Sequence, residues 1–443
     1  MGLIERMIHS LRPSSGARPR PGVLLAQRKD DIWRDYPADG LTPQRLVSIF
    51  READAGSPSS QMSLFDQMEE KDAHLHSVAS TRRLAVTGLA WEIVSAGEMP
   101  GWGTARNVRR DRRLADEASD FCDRVLRNLS GFEEALVHLS HAIGRNLSLV
   151  ELAWESGPAG IELASLNPVD FQRIVIGDVG EVRVLTEGAP FEGIELPADK
   201  FIVHAPHTSS GHPLRGGLLR VTSLAFLGKR FAIKDWLIFA EVFGMPVRIA
   251  RYAPQASAEE KRELLDMLKQ LGADATGIFS KAVDLEIKQT RTPGEINLYE
   301  NLCLYFDREI SKAWLGQTLT TDTARMMASA GAARVHDNVR RDLRDDDLRK
   351  EGTTLRRDLL APLARFQFGP DVPVPFFRRI LEQRFDPADL GRTLDIAVNR
   401  LGARVPARWA HAALGIPEAT DGEATLAGNA AATSRAGANG EQG

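Results

Sequence analysis

The chain has 443 residues, 43% hydrophobic and 26% charged, with a formal net charge of −4 and a pI near 6.2. These values fit a globular protein of two or three domains and exclude a strongly basic, static nucleic-acid binder; a channel through which DNA slides stays open, because tight phosphate gripping would oppose movement. No run of 18 apolar residues exists, so no membrane-spanning helix is expected, and the two cysteines, Cys122 and Cys303, read as buried free thiols of a reducing compartment.

Residues 1–40 are rich in Pro, Gly, Ser and Arg and read as a flexible arm, of a kind that in some oligomers lies across a neighbour. Its apolar stretch is too short and too interrupted for a signal peptide. Position 6 lacks the Ser or Thr of a myristoylation signal. Thr42 and Pro43 then open a helix as N-cap and first residue. A second helix is expected over 60–84. Its adjacent Glu69 and Glu70 diverge by about 100° on a helix, which argues for a solvated face and against a catalytic pair. Alternation over 89–95 (LAWEIVS) predicts a strand. The densest basic patch follows, with Arg106, Arg109, Arg110, Arg112 and Arg113 in or near a loop over 98–111. It reads as a solvated loop and helix start, or as a contact for nucleic acid or an acidic partner; no aromatic residue interleaves to make a single-strand stacking platform.

Helices are expected over 114–129 and 131–143. His138 and His141 lie three apart on the second, but no acidic third ligand sits nearby at a fitting spacing. Short apolar runs over 147–155, 161–166, 171–176, 182–185 and 201–205, punctuated by Gly, Pro, Asp and Asn, predict an antiparallel meander. Residues 41–216 therefore read as an α+β domain. His204, His207 and His212 form the densest histidine cluster; without HExxH or a cysteine partner they read as a loop that ties down the next helix.

That helix is the longest in the chain, over 217–244. Val221, Ala225, Ala232, Trp236, Phe239 and Phe243 recur at helical steps on one face, while Leu219, Phe226, Leu227, Phe231, Leu237 and Ile238 fall on others. A helix apolar nearly all round expects partners on several sides, in the core of its own domain or on other subunits. Gly244 and Pro246 end it. A small α/β unit follows over 245–292: a strand at 247–252, a helix at 257–271 with a Ser257/Glu260 capping box, and strands at 276–280 and 283–289. A second long helix covers 293–316 and stops at Gly316. The polar loop 317–322 (QTLTTD) leads into a helix over about 321–350. Its first half is rich in Ala and Gly and its second half carries charges of both signs. Asp345, Asp346 and Asp347 diverge on a helix, so a salt-bridged exposed or inter-subunit face is expected there, not a magnesium site. A helix at 354–366, broken at Pro362, short helices at 377–383, 387–401 and 406–414, and a disordered tail from 417 complete the reading.

The order and spacing of several stretches resemble the Mu-like portal proteins of tailed bacteriophages and prophages. They are LTPQRLVSIFREADAG, DQMEEKDAHLHSV and RRLAVTGLAWEIV near the start, then Ser210, Gly211, His212, Pro213, Arg215, Gly216 and Gly217 before the long helix. Lys234, Asp235 and Trp236 lie within that helix, with Phe243, Gly244, Pro246 and Arg248 at its end. The last is LTTDTARMMASAGAARVHDNVRRDL over 319–343. The resemblance covers about 40–370.

It implies an α+β portal-like fold: an arm (1–40), a wing-like α/β domain (41–216), two stem-like helices (217–244 and 293–316) bearing a clip-like α/β unit (245–292), a tunnel-loop and long-helix region (317–368) and a helical crown-like region (369–416). It further implies a structural protein of the virion, assembled in the bacterial cytoplasm as a ring, dodecameric in that family, at one capsid vertex. Double-stranded DNA would pass through the ring in packaging and ejection, with the terminase large subunit, the major capsid protein and head–tail adaptors as partners. Candidate DNA-facing positions are Gln317, Thr318, Leu319, Thr320, Thr321 and Asp322. Candidate channel or inter-subunit charges are Lys229, Arg230, Lys234, Arg340, Arg341 and Arg344. No Walker A, GxSxG, zincin or Rossmann motif is present, so no catalytic residue, cofactor or metal is expected. The alternatives are a metal-dependent nuclease or hydrolase built on His204, His207 and His212, and a monomeric head–tail adaptor.

Overall fold

The computed structural model describes residues 40–98, 108–157, 160–207, 212–244, 248–252, 257–260, 262, 276–280, 295–318, 330–381 and 387–417. The chain divides into two compact units, 1–380 and 381–443, and each is taken by itself. The expected arm, the strand at 283–289, the start of the helix after the 317–322 loop and the tail from 418 lie outside the described residues.

The first unit opens with α1 (Pro43–Asp54), capped as expected: the Thr42 hydroxyl accepts from the Arg45 N–H at 3.2 Å. The single helix expected over 60–84 is two, α2 (Ser59–Lys71) and α3 (Ala73–Thr87). The break is at Asp72, whose extended backbone lets its carboxylate accept from the N–H groups of His74 and Leu75, both at 3.0 Å. A short acidic side chain that can cap a helix start competes with helix continuation. Strand β1 (Trp91–Val94) precedes α4 (Val108–Asn128), α5 (Phe132–Ser140) and α6 (Ala142–Arg145).

The sheet is more divided than a meander. Strand β2 (Ser148–Gly157) pairs with both β3 (Gly160–Pro168) and β7 (Phe201–His204), while β4 (Ile174–Ile176), β5 (Val182–Thr186) and β6 (Ala189–Glu195) form a second antiparallel sheet. β6 had no signal in the sequence, because APFEGIE carries Pro and Gly and no clear alternation. The free edge of β7 is closed by side chains. Asp358 accepts from the Val203 N–H and Arg357 donates to the Val203 carbonyl, both at 2.9 Å.

Helix α7 (Leu218–Gly244) runs 27 residues, as read. Strands β8 (Arg248–Tyr252) and β9 (Thr276–Ser280) follow and pair in parallel. The capping box between them forms in both directions: Glu260 N–H to the Ser257 hydroxyl at 3.1 Å, and Ser257 N–H to the Glu260 carboxylate at 2.8 Å. Helix α8 (Glu295–Leu315) ends at Gly316, which takes φ +67°. It packs antiparallel on α7: Phe239 meets Tyr299 with ring centroids 5.8 Å apart, and further back Lys229 meets Asp307. Gly228 makes the close approach possible, since a Cβ there would lie 2.3 Å from the Phe306 ring.

Helix α9 (Ala330–Leu355) does not stop before Pro362. It passes through one wider π turn (Arg356–Leu360) directly into α10 (Ala361–Phe368). A proline lacks its N–H and crowds the carbonyl four residues back; an added residue in the preceding turn relieves both without ending the helix. The helix expected over 377–383 is in part β10 (Phe376–Arg379), antiparallel to β1. Tertiary partners decide this: Phe377 stacks on Trp91 with centroids 6.0 Å apart, and Arg379 reaches the buried Glu351. Two apolar cores result. One joins α1–α3, the second sheet and the roots of α7 and α8 around Phe65, Phe226 and Trp314; the other joins α4, α5, the first sheet and the α9–α10 junction.

The second unit holds α11 (Pro387–Asp395), a π turn (Ile396–Arg400) and α12 (Ala407–Leu414), which ends at Gly415 with φ +67°. Among the described residues no helix is long and apolar enough to cross a membrane. The Gly228 contact gives a direct test of the α7–α8 packing. Gly228→Leu should cost about 1–3 kcal/mol through overpacking and lower the midpoint of thermal unfolding; an unchanged midpoint would show that the two helices separate freely.

Candidate functional site

Two features stand out where α7, α8 and α9 meet the first half of the chain: a set of buried ion pairs, and apolar side chains left uncovered on α7 and α8. The turn into α7 is built for close approach. A Cβ on Gly216 would lie 1.7 Å from the His207 carbonyl oxygen, and one on Gly217 would lie 2.3 Å from that of Gly144. Asn146, in the left-handed region at φ +64°, clasps the same loop: its side chain accepts from His207 N–H at 2.7 Å and donates to the Pro213 carbonyl at 2.6 Å. Arg215 and Arg220 both reach Asp54 at the end of α1, at 2.8–3.0 Å. Burial opposes the Asp54 charge, but the two guanidiniums outweigh it and hold the carboxyl below its ordinary value.

The candidate charges separate in space. Lys229 is engaged inside its own chain, 2.8 Å from Asp72 and 2.6 Å from Asp307. Burial alone would lower its pKa; the two carboxylates raise it and keep the ammonium charged. It ties the cap of α3 to α7 and α8. Arg230 is half-buried over the Phe226 ring at 5.6 Å. Arg344 pairs with Asp345 at 2.8 Å. Lys234, Arg340 and Arg341 are exposed. In the 317–322 loop, Gln317 is only 4% exposed, Thr318 is half-buried, and Leu319, Thr320, Thr321 and Asp322 lie outside the described residues.

The acidic triple on α9 diverges as read, but it is not wholly a surface feature. Asp345 and Asp346 pair locally, with Arg344 and with Arg349 and Lys350. Asp347 points inward and accepts from Arg82 at 2.9 and 3.1 Å, while Arg82 also donates to the Trp314 carbonyl at 2.8 Å. His207 lies 3.5 Å from Asp347 and 3.0 Å from the Lys350 ammonium. His204 is buried, with Nδ1 2.9 Å from the Thr354 hydroxyl, and the His212 ring accepts from Leu214 N–H at 3.3 Å. The cluster is thus held by its own chain, and among the described residues no three His, Cys, Asp or Glu side chains group as ligands for one metal ion.

Glu69 also corrects the reading, for it is buried while Glu70 is exposed. It accepts from Arg83 and, at 2.8 Å, from Arg145, which also holds Asp66 at 2.7 Å. Burial works against the Glu69 carboxylate, but Arg145 and Arg83 prevail and bring it down to about 2. Beside it His138 stacks on Phe171 with centroids 4.8 Å apart, and Arg145 sits 4.7 Å over the same ring. The sequence could not reveal these pairs, since their partners lie far apart along the chain.

Three histidines are held neutral. Burial, aided by Arg145, pushes His138 down to about 4 and His141 to about 3; burial, aided by His207, pushes His204 to about 4. The unfolded chain then binds more protons than the folded one below the ordinary histidine value near 6.5. Stability is full above that value and falls as pH drops toward 4. Asp66 and Glu351, raised by burial, oppose this at the acid end, so the histidine slope is best read just below pH 6.5. The midpoint of denaturant unfolding should fall between pH 7 and 5.5, and H138Q/H141Q/H204Q should flatten the decline; a flat wild-type profile would contradict the neutral assignment.

The uncovered apolar side chains follow helical spacing. On α7, Leu224 (67% exposed), Phe231 (41%) and Ile238 (47%) lie seven residues apart on one stripe, beside Val221 (64%). On α8, Leu298 (63%), Leu302 (39%) and Tyr305 (53%) make another. Large apolar residues clustered in this way mark protein contacts.

Comparison with known proteins gives this architecture its relatives. A family model described as the portal protein of Mu bacteriophage matches residues 62–416. The Mu-like prophage FluMu protein gp29 of Haemophilus influenzae is 30% identical over 406 residues, covering 89% of this chain and 74% of that protein. The portal protein of Escherichia phage Mu is 28% identical over 402 residues, with the same coverage. Among solved structures, chains from the neck of an empty gene transfer agent particle (TM-score 0.43, 16% identity, 87% of this chain and 98% of that one) and from the virion of the native particle (TM-score 0.46, 15% identity, 85% and 95%) are similar. With the family model spanning most of its length, the chain belongs to the family of Mu bacteriophage portal proteins.

Proposed function

We propose that copies of this chain close head-to-tail into a ring at one capsid vertex, twelve in number as the family resemblance implies, through which double-stranded DNA is packaged and ejected. Family membership supports the portal role. The observation that carries the ring is the pair of apolar stripes on α7 and α8, which a lone subunit leaves in water. A heterologous interface that closes by rotation requires two different faces on each subunit, and side-by-side helices supply them.

On this reading α7 and α8 are the stem helices and the β8–β9 unit is the clip. Lys234, Arg340 and Arg341 are the exposed members of the candidate set, with the loop 317–322 as the constriction and the buried Gln317 as its anchor rather than a DNA-facing residue. A modest number of cations suits sliding, where each phosphate contact adds a salt-dependent hold. The terminase large subunit, the major capsid protein and head–tail adaptors are the partners that such a ring requires, and assembly in the bacterial cytoplasm precedes its place in the virion. The role is structural rather than enzymatic. The nuclease alternative is disfavoured by His204, His207 and His212, whose rings are already engaged within the chain.

Light scattering followed by negative-stain imaging tests the ring. The purified chain should give particles of about twelve subunits with a central hole. L224E/F231E should yield a folded monomer with an unchanged circular dichroism spectrum, because both residues are exposed in the isolated subunit. A wild-type monomer at high concentration, even with capsid or scaffold partners present, would overturn the ring. R340E/R341E should leave assembly intact and lower DNA packaged per particle by roughly tenfold; unchanged packaging would remove these two residues from the channel.

A further inference from the structure

The hairpin of α7 and α8 has two broad faces, and helical geometry shows which residues share each. A helix turns about 100° per residue. On α7, Gly228 and Phe239 mark the side that meets α8; on α8, Tyr299 and Phe306 mark the side that meets α7. Leu224, Phe231 and Ile238 lie roughly 70° round α7 from its contact side, and Leu298, Leu302 and Tyr305 lie roughly 80° round α8 in the same sense. An antiparallel pair is related by a two-fold axis normal to its plane. Similar offsets in the same sense therefore emerge on one face, and the two stripes form one continuous apolar surface.

The back of the hairpin is apolar too, with different residues. In the opposite sense, Trp236, Ile233 and Leu237 lie roughly 70–170° from the contact side of α7, and Leu304 lies roughly 150° from that of α8. Ile233 is 40% exposed and Leu237 67%, while Trp236 and Leu304 are half-buried. The outer edges carry polar groups instead, Lys234 on α7 and Asn301 and Lys312 on α8, all exposed. Front and back together present apolar surface on the order of 900 Å². That exceeds the roughly 300–600 Å² of the largest patch on a typical monomer and is about what one partner gives to a stable interface.

We propose that hairpins of successive copies stack front to back, with Leu224, Phe231, Ile238 and the α8 stripe of one copy lying against Ile233, Trp236, Leu237 and Leu304 of the next. The inference rests on the ring reading and names the second of the two surfaces that reading requires. Because front and back differ, the contact is heterologous and repeats from copy to copy. Two fronts meeting would instead close a dimer and leave both backs in water. Stacking by the faces also leaves the polar edges at the rim of each contact, where charged groups stay hydrated.

Crosslinking in the full chain tests it. Phe231→Cys on the front and Ile233→Cys on the back are combined in a Cys303→Ser background; Cys122 is buried, with its thiol pushed up to about 12, and does not compete. A bis-maleimide spanning about 8 Å cannot reach round a helix about 10–12 Å across. F231C/I233C should therefore give a ladder at multiples of the subunit mass, and each single variant should give none. L302C/L237C probes the same two faces at independent positions and should give the same ladder. Wild-type rings without a ladder from either pair would overturn the stacking and leave the ring standing, as would a dimer-mass product from F231C alone. A wild-type chain that stays monomeric would overturn both.

Discussion

Arg82 and Asp347 are separated by 265 residues in sequence and by 2.9 Å in space. Neither can be buried alone: an unpaired charge inside a protein costs several kcal/mol, so each fixes where the other must be. Asp72–Lys229–Asp307, Glu69–Arg145–Asp66 and Glu351–Arg379 impose the same condition on other pairs of segments. Buried pairs of this kind add little net stability over apolar packing of equal volume. Their effect is on register. α7, α8 and α9 can seat on the first half of the chain in one way only, because any slip strands a charge.

That rigid seating gives the exposed stripes their meaning. If the hairpin of α7 and α8 could rock on its base, its apolar residues would fold back onto the nearest surface. Instead Phe226, Trp314 and the ion pairs fix its root, and Leu224, Phe231, Leu298 and Tyr305 stay exposed, with nothing among the described residues covering them. The exposure follows from that stiffness, which the proposed ring would use.

The elements legible in the sequence were those set by local chemistry. α7 was readable because its apolar period is long and ends at Gly244 and Pro246; the Thr42 cap and the Ser257/Glu260 box were readable because the interacting groups are three residues apart. What was not legible depended on partners distant in sequence. Phe376–Arg379 is a strand because Trp91–Val94 lies beside it, and Glu69 is buried because Arg145 waits across the core. Lys229 looked like a surface cation for the same reason: nothing near it in sequence announces Asp72 or Asp307. Among the site residues, Phe231 and Ile238 were legible as apolar residues off the main face of α7, but Leu224 was not singled out, and which face the core would leave open depended on partners distant in sequence.

The π turn at Arg356–Leu360 has a consequence for how this helix can vary. One extra residue in a helical turn is a phase shift: it rotates everything after it by about 100° relative to everything before. Asp347 and Glu351 face their arginines on one side of that point, while Leu363 and Ala364 face the other core beyond it. The turn is therefore an adjustable joint between two otherwise fixed surfaces. Loss of one residue there would leave a smoother helix by every local measure, yet it would aim one of its two halves at the wrong side of the protein.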